Sequence, residues 1–217
     1  MSVATRTIDR LKNEAKLPGA DGQPWRWYHG AIFYVVVQGL TFGLTALVST
    51  LAGTRASNAR NIIGDVDYFR RLRQSVFSPP SWAFGPAWTL NNLSVIWGTL
   101  RVLNKPQDTP GRSAYLGLQA ATWLDFVLFN AGYFSLRSPI NAFGMTVLFF
   151  LLTIASGFVA IFRLKDSRVA LSLATLFIWL IIASTAATFQ MLWNRDELYK
   201  VGPFVEPNEG LLKKEVK

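Results

Sequence analysis

The chain has 217 residues, of which 51% are hydrophobic, 14% aromatic and 16% charged, and its formal net charge is +9. Typical soluble domains contain about 25% charged residues, so this composition favours a membrane protein. The absence of cysteine and the single histidine, His29, exclude disulfides, thiolate metal sites, cysteine nucleophiles and sites built from several histidines.

The first 29 residues are predicted to form a polar N-terminal extension. They end in an aromatic cluster of Trp25, Trp27 and Tyr28, which is typical of a membrane–water interface. No apolar segment follows the basic start within this stretch, so a cleaved secretory signal is not expected. The Lys and Arg residues show no pattern typical of a nucleic-acid groove, and in a membrane protein they meet anionic lipid headgroups.

Five apolar segments follow, each long enough to cross about 30 Å of hydrocarbon. They cover residues 30–52, 83–103, 114–136, 140–162 and 169–193. Backbone groups in lipid must be paired internally, so the segments are predicted to be helices. The turns at 137–139 and 165–167 are short, so the helices that they join must pack antiparallel to each other. The sequence therefore predicts an all-α integral membrane protein, an up-down bundle of five transmembrane helices over residues 30–194, with a mobile polar tail at 195–217.

The densest motif runs from Ser78 to Leu90 and contains three prolines, a glycine and two tryptophans at the start of the second span. Trp82 suits an interfacial anchor, whereas Trp88 lies about a turn and a half deeper. This block resembles the signature of the tryptophan-rich sensory protein/translocator protein (TspO/MBR) family. The matching residues are Leu72, Phe77, Pro79, Pro80, Trp82, Phe84, Trp88 and Thr89, followed by Tyr133, Phe134, Arg137 and Pro139, and then by Trp179, Ala183 and Asn194.

The resemblance covers residues 30–194 and implies a five-helix bundle in a bacterial inner membrane or an organellar membrane. It implies binding of a tetrapyrrole such as a porphyrin, haem or chlorophyll-type pigment, or of a sterol. A receptor of this kind is expected to be a monomer or homodimer, whereas an accessory subunit is expected in a larger membrane complex. Some members of the family degrade porphyrin in light. The sequence contains no catalytic constellation and no metal-ligand spacing, so a binding protein is favoured over an enzyme.

The implied pocket lies between helices, with Trp88 and Trp179 facing each other. Phe84, Trp88 and Asn92 share one face of the second span at helical spacing. Trp179, Ala183, Ala187 and Gln190 share a face of the fifth. A flat ligand needs an apolar slot with aromatic faces and a few polar groups. The small residues from 183 to 188 either leave room for a ligand or let a neighbouring helix pack closely, and both interpretations remain open.

Asp125 lies near the middle of the third span, where a carboxylate is costly and therefore a candidate functional group. It is predicted either to contact the ligand, including a metal in a bound pigment, or to accept hydrogen bonds from Asn91 or Asn92. Four further polar residues of the spans are predicted to make helix-packing contacts. They are Gln38, Asn130, Asn141 and Gln190.

Several positions that are polar in the family carry other residues in this chain. The third span has Phe126 and Phe129 where the family has Asn-x-x-Trp, and the fifth has Ala187 in place of an asparagine. These differences support a second interpretation, a non-catalytic accessory subunit of a larger membrane complex whose ligand pocket has degenerated.

Overall fold

A computed structural model describes residues 24–54 and 66–213 of the chain. Its helices are α1 (Trp27–Leu51), α2 (Val66–Arg71), α3 (Phe84–Leu103), α4 (Arg112–Asn130), α5 (Pro139–Phe158), α6 (Ser167–Ser172) and α7 (Ala174–Trp193). Apart from α2, they occupy the segments assigned to spans from the sequence. When the π-helical turns that extend α4 to Ser135 and α5 to Arg163 are counted, the ends of these segments differ from the predicted ones by three residues or fewer. Most of the predicted N-terminal extension lies outside the described residues.

The apolar character of the helices is uneven. Within the described residues, three helical segments are long and apolar enough to cross a bilayer, Trp27–Leu51, Pro139–Arg163 and Ser167–Trp193. The other two long helices, α3 and α4, bury polar side chains such as Asn91, Asn92, Gln119 and Asp125. No strand occurs in the described ranges, so the predicted all-α membrane class is confirmed for this part of the chain.

Two tight turns set the antiparallel course of α4, α5 and α6. Both α4 and α5 end in a π-helical turn, at Ala131–Ser135 and Val159–Arg163, and a residue with φ of 50° follows, Arg137 in one turn and Lys165 in the other. The next residue then caps the following helix. Ser138 accepts a hydrogen bond from the backbone of α5, and Asp166 accepts one from the backbone of α6. The predicted short turns are therefore confirmed.

The long helices pack with α5 between α4 and α7, α1 against α4, and α3 against α4 and α6. Polar side chains join neighbouring helices inside the bundle. The hydroxyls of Ser49 and Ser135 lie 2.7 Å apart, and the Gln119 amide donates to Ser156 over 2.9 Å. Such interhelical hydrogen bonds help helices associate where lipid supplies no hydrophobic driving force between them.

An ion cluster ties α3 to the start of α6. The Oδ2 atom of Asp166 lies 2.8 Å from both Arg101 Nε and Lys105 Nζ, and the side chain of Asp166 is only 6% exposed. Burial by itself would raise the pKa of this carboxyl, but the hydrogen bonds from Lys105 and Arg101 outweigh burial and lower the pKa to about 2.

We expect Asp166→Asn to lower the free energy of unfolding by about 2–3 kcal/mol at neutral pH, because two cations lose their partner while asparagine still caps α6. The folded-state pKa lies below the ordinary 3.8, so this stabilisation is present above pH 4 and is lost as the pH falls toward 2. Denaturant unfolding in detergent should therefore show the wild type and the variant converging in stability over that range. A gap that does not change with pH would contradict this assignment.

Candidate functional site

The motif at the start of α3 brings two aromatic rings to the interior. Pro79 and Pro80 precede a single 3-10 turn, Ser81–Ala83, and α3 begins directly afterwards at Phe84. Proline suits the segment that leads into a helix because its missing N–H has no helical partner there. Phe84 and Trp88 then lie one turn apart on the inner face. Trp82 is 74% exposed, as expected of an interfacial anchor.

Four helices contribute rings to one aromatic cluster. The ring centroids of Trp88 and Trp179 lie 6.3 Å apart at an interplanar angle of 75°, and Phe84 meets Trp179 edge-on at 5.4 Å. Trp88 also contacts Phe126 of α4 at 5.4 Å and Phe149 of α5 at 5.6 Å. Aromatic pairs of this kind add about 0.5–1.5 kcal/mol each beyond area burial, so the cluster holds its rings in defined positions.

These rings line a cavity of about 340 Å³ between the helices. This volume is at the lower end of the range for small-molecule sites, roughly 300–1,000 Å³. Aromatic residues make up 11 of the 24 that line it. They are Tyr34, Phe42, Phe69, Phe84, Trp88, Phe126, Phe129, Tyr133, Phe134, Phe149 and Trp179. A slot of this kind suits a flat apolar ligand.

The cavity also has a few polar groups. Gln38, Asn130, Thr146 and Gln190 line it, and Gln190 accepts a hydrogen bond of 2.8 Å from Tyr133. Trp179 is 8% exposed, and its Nε1–H has no hydrogen-bond partner among the described residues. A buried donor without a partner costs free energy, and a ligand acceptor would remove that cost.

Four of the six predicted ligand-binding residues come together here, because Phe84, Trp88, Trp179 and Ala183 all line the cavity. The other two do not line it. Asn92 is buried elsewhere in the bundle, and Asp125 lies in a separate groove between α1, α4 and α5.

The hydrogen bonds expected between Asp125 and Asn91 or Asn92 are not formed, and the Asp125 Oδ2 atom has no partner among the described residues. The reason is the rotation of α4. Phe126, which contacts Trp88, turns toward α3, whereas Asp125 turns toward α1 and α5.

Sequence reasoning missed several lining residues. Gln38, Asn130 and Gln190 line the cavity although they were predicted to make packing contacts, and Thr146 was not singled out at all. The sequence does contain a signal for these lining residues, namely their helical spacing. It places Tyr34, Gln38 and Phe42 on one face of α1, and Ala142, Thr146 and Phe149 on one face of α5. Such spacing is equally typical of helix packing, so periodicity alone does not identify these residues.

The loop before α3 closes one end of the cavity through Pro79 and Ser81. Residues 195–213, expected to be mobile, instead pack against this loop. Ser75 and Leu212 form an antiparallel bridge, and the Lys213 ammonium donates to the Ser78 carbonyl over 2.9 Å. Asn194 bonds both backbone groups of Arg73. The C-terminal segment at 195–213 therefore holds in place the loop that closes this end of the cavity. We call this segment the strap.

Fold and cavity together define an integral membrane protein built as a helical bundle around an aromatic slot. The family model of the TspO/MBR family matches residues 35–194. The chain belongs to this family, as the entrance motif of α3 predicts. A comparison with curated proteins finds no match.

Proposed function

We propose that the chain is a translocator-like membrane protein with five spans that binds a tetrapyrrole or a similar flat lipophile in the aromatic cavity. In this proposal residues 30–194 form the membrane domain, between the extension at 1–29 and the tail at 195–217. The helices α3 and α4 are the second and third spans. Their 20 and 19 residues suffice for a bilayer, and their polar residues Asn91, Asn92 and Gln119 are buried.

The observation that carries the proposal is the meeting of Trp88, Trp179 and Phe84 around a cavity, with the buried donor Trp179 Nε1 unpartnered among the described residues. Indole and phenyl rings offer both faces and edges to a planar macrocycle, and the indole N–H can donate to an acceptor on it. The few polar groups beside them fix orientation, which is the usual composition of a small-molecule site.

A titration of the purified protein in detergent with protoporphyrin tests this function. Porphyrin absorbance, rather than protein fluorescence, should be followed, because it reads binding equally in variants that lack tryptophan. We expect saturable binding with a dissociation constant in the low micromolar range or tighter, about −8 kcal/mol. No saturable binding to folded protein would reject the proposal and favour an accessory subunit of a larger membrane complex.

A matched pair of variants localises the site. Ala183 lines the cavity, whereas its neighbour Ile182 is 38% exposed on the outer face of α7. Ala183→Phe should fill the cavity and weaken porphyrin binding by at least about tenfold, a cost of about 1.4 kcal/mol. Ile182→Phe, which adds a ring to the same helix, should leave binding unchanged. Equal effects from the two variants would argue against the cavity as the site.

The double variant Trp88→Phe/Trp179→Phe tests the indoles themselves. It keeps aromatic rings at both positions and removes the unpartnered N–H of Trp179. Loss of one neutral hydrogen bond costs about 0.5–1.5 kcal/mol, so binding should weaken several-fold through that atom alone. Wild-type affinity in the double variant would mean that the ligand does not use the indoles.

A further inference from the structure

A second concave site opens on the outer surface of the bundle, between α1, α4 and α5. Its walls are apolar, with Leu44 and Val48 from α1, Leu128 from α4 and Leu148 from α5. Leu128 and Leu148 are 42% and 48% exposed, so the groove is open toward the surrounding lipid. None of its lining residues lines the aromatic cavity, and the two sites are therefore independent.

The acidic residue in this groove is Asp125, which is 5% exposed. At 1.5 Å per residue it lies about 20 Å from the start of α4 and about 15 Å from the end of its π-helical turn, and so close to mid-membrane. Its Oδ2 atom has no hydrogen-bond partner in the part of the chain that the structure describes. A carboxyl group without a partner at this depth is costly and calls for a partner.

The groove itself does not supply that partner. Among the residues that the structure describes, no Lys, Arg or His lines it. Its other polar side chain, Asn141, is already engaged, because the amide nitrogen donates to the Gly132 carbonyl and the amide oxygen accepts from the Tyr199 hydroxyl. The described residues thus provide no donor to Asp125 Oδ2, which leaves this atom open to a donor from a molecule in the bilayer.

We propose that this groove binds a lipophile whose polar group, an amine or a hydroxyl, donates a hydrogen bond to Asp125 while its apolar chain lies along the walls. Asp125 is almost fully covered, so only a slender group can reach it. A whole helix of a partner protein, with a diameter of about 10–12 Å, would lie across the rim. The ligand class is thus a single-chain lipophile with a donor at one end.

Labelling with dicyclohexylcarbodiimide tests the proposal, because this apolar reagent reaches carboxyl groups from the lipid phase. The protein is placed in lipid nanodiscs, and mass spectrometry follows modification of the Asp125 peptide over time. We expect N,N-dimethyldodecylamine, dodecanol or both to slow labelling by about tenfold, equivalent to about 1.4 kcal/mol. Dodecane at the same concentration should have no effect. Protection by the amine alone would show that the groove prefers a cationic ligand. Protection by both compounds would show that it accepts any hydrogen-bond donor.

Three results would overturn the proposal. Asp125 could resist the reagent without any competitor, dodecane could protect as well as the donors, or no probe could protect. In the last case, labelling that occurs in nanodiscs but not in native membranes would assign the groove to a partner protein instead.

A glycine pair on α5 provides a matched control. A Cβ atom at Gly144, in the groove, or at Gly157, outside it, meets no atom within 4 Å, so both positions accept a side chain. Gly144→Phe should close the groove, slow the labelling of Asp125 and abolish the effect of the amine. Gly157→Phe should behave like the wild type. If Gly144→Phe is labelled and protected as the wild type is, the groove is not the binding site.

Discussion

Replacing Asp196 with alanine is expected to lower the free energy of unfolding by about 3–4 kcal/mol, because this carboxylate is 1% exposed and accepts four hydrogen bonds. Its Oδ2 atom accepts from the Ser138 hydroxyl at 2.6 Å and from the backbone of Ile140 at 3.1 Å, which joins the strap to the start of α5. Its Oδ1 atom accepts from the backbone of Leu198 and Tyr199. Alanine would leave all four donors without their acceptor.

The neighbouring acidic residue provides the control. Glu197 pairs with Arg137 at 3.2 Å, but its side chain is 48% exposed, and pairs of this kind contribute about 0–1 kcal/mol. Glu197→Ala should therefore change stability little. Unfolding in detergent gives both free energies, and trypsin cleavage after Lys200 should accelerate only in Asp196→Ala. Equal losses in the two variants would mean that net charge, and not the buried network, determines the effect.

The second large effect is expected at Gly98, where α3 and α6 touch. A Cβ atom at this position would overlap the Ser172 hydroxyl and lie 2.9 Å from Ser172 Cβ. Ser172 has little freedom to move, because its hydroxyl donates to the Val169 carbonyl and its own carbonyl accepts from Ser94. We therefore expect Gly98→Ala to cost about 2–3 kcal/mol through overpacking and displaced hydrogen bonds.

Gly117 is the matched position on α4, since a Cβ atom there meets nothing within 4 Å. Gly117→Ala should raise stability slightly, by about 0.4–1 kcal/mol, because alanine restricts the unfolded chain. The double variant Gly98→Ala/Ser172→Ala should recover part of the loss by removing the hydroxyl. If Gly98→Ala unfolds like the wild type in the same detergent, the two helices are not packed as closely as the structure indicates.

The structure also shows where the residues that differ from the family pattern lie relative to the proposed ligand cavity. Phe126 and Phe129, which stand where the family has asparagine and tryptophan, both line the cavity as rings. Polar groups reach the same cavity from Gln38, Asn130, Thr146 and Gln190. The lining is thus aromatic with a few polar groups, as a ligand site requires, and the proposed binding function does not depend on the positions that differ.

Helices, turns and the membrane environment could be predicted from the sequence because each follows from local properties of the chain. Apolar runs of about 20 residues identify helices in lipid. A turn as short as 137–139 requires the next helix to pack antiparallel to the one before it. The entrance motif of α3 identified the family and the meeting of Trp88 with Trp179. The helices and turns need no knowledge of how far each helix is rotated about its axis, and the tryptophan pair follows from the family resemblance.

That rotation is decided only by tertiary packing, because aromatic and small residues surround these helices on all sides and leave periodicity ambiguous. It turns Phe126 toward the cavity and Asp125 toward the groove between α1, α4 and α5, and it brings Gln38 to the cavity, where a packing contact was expected. The strap could not be predicted either. Its polar sequence resembles that of a free tail, and it is held by backbone bonds to the loop at 73–78 and by the buried carboxylate of Asp196, contacts between residues far apart in the chain. The sequence alone thus determined the bundle and its tryptophan pair, whereas long-range contacts decided which polar groups meet a ligand and how the site is closed.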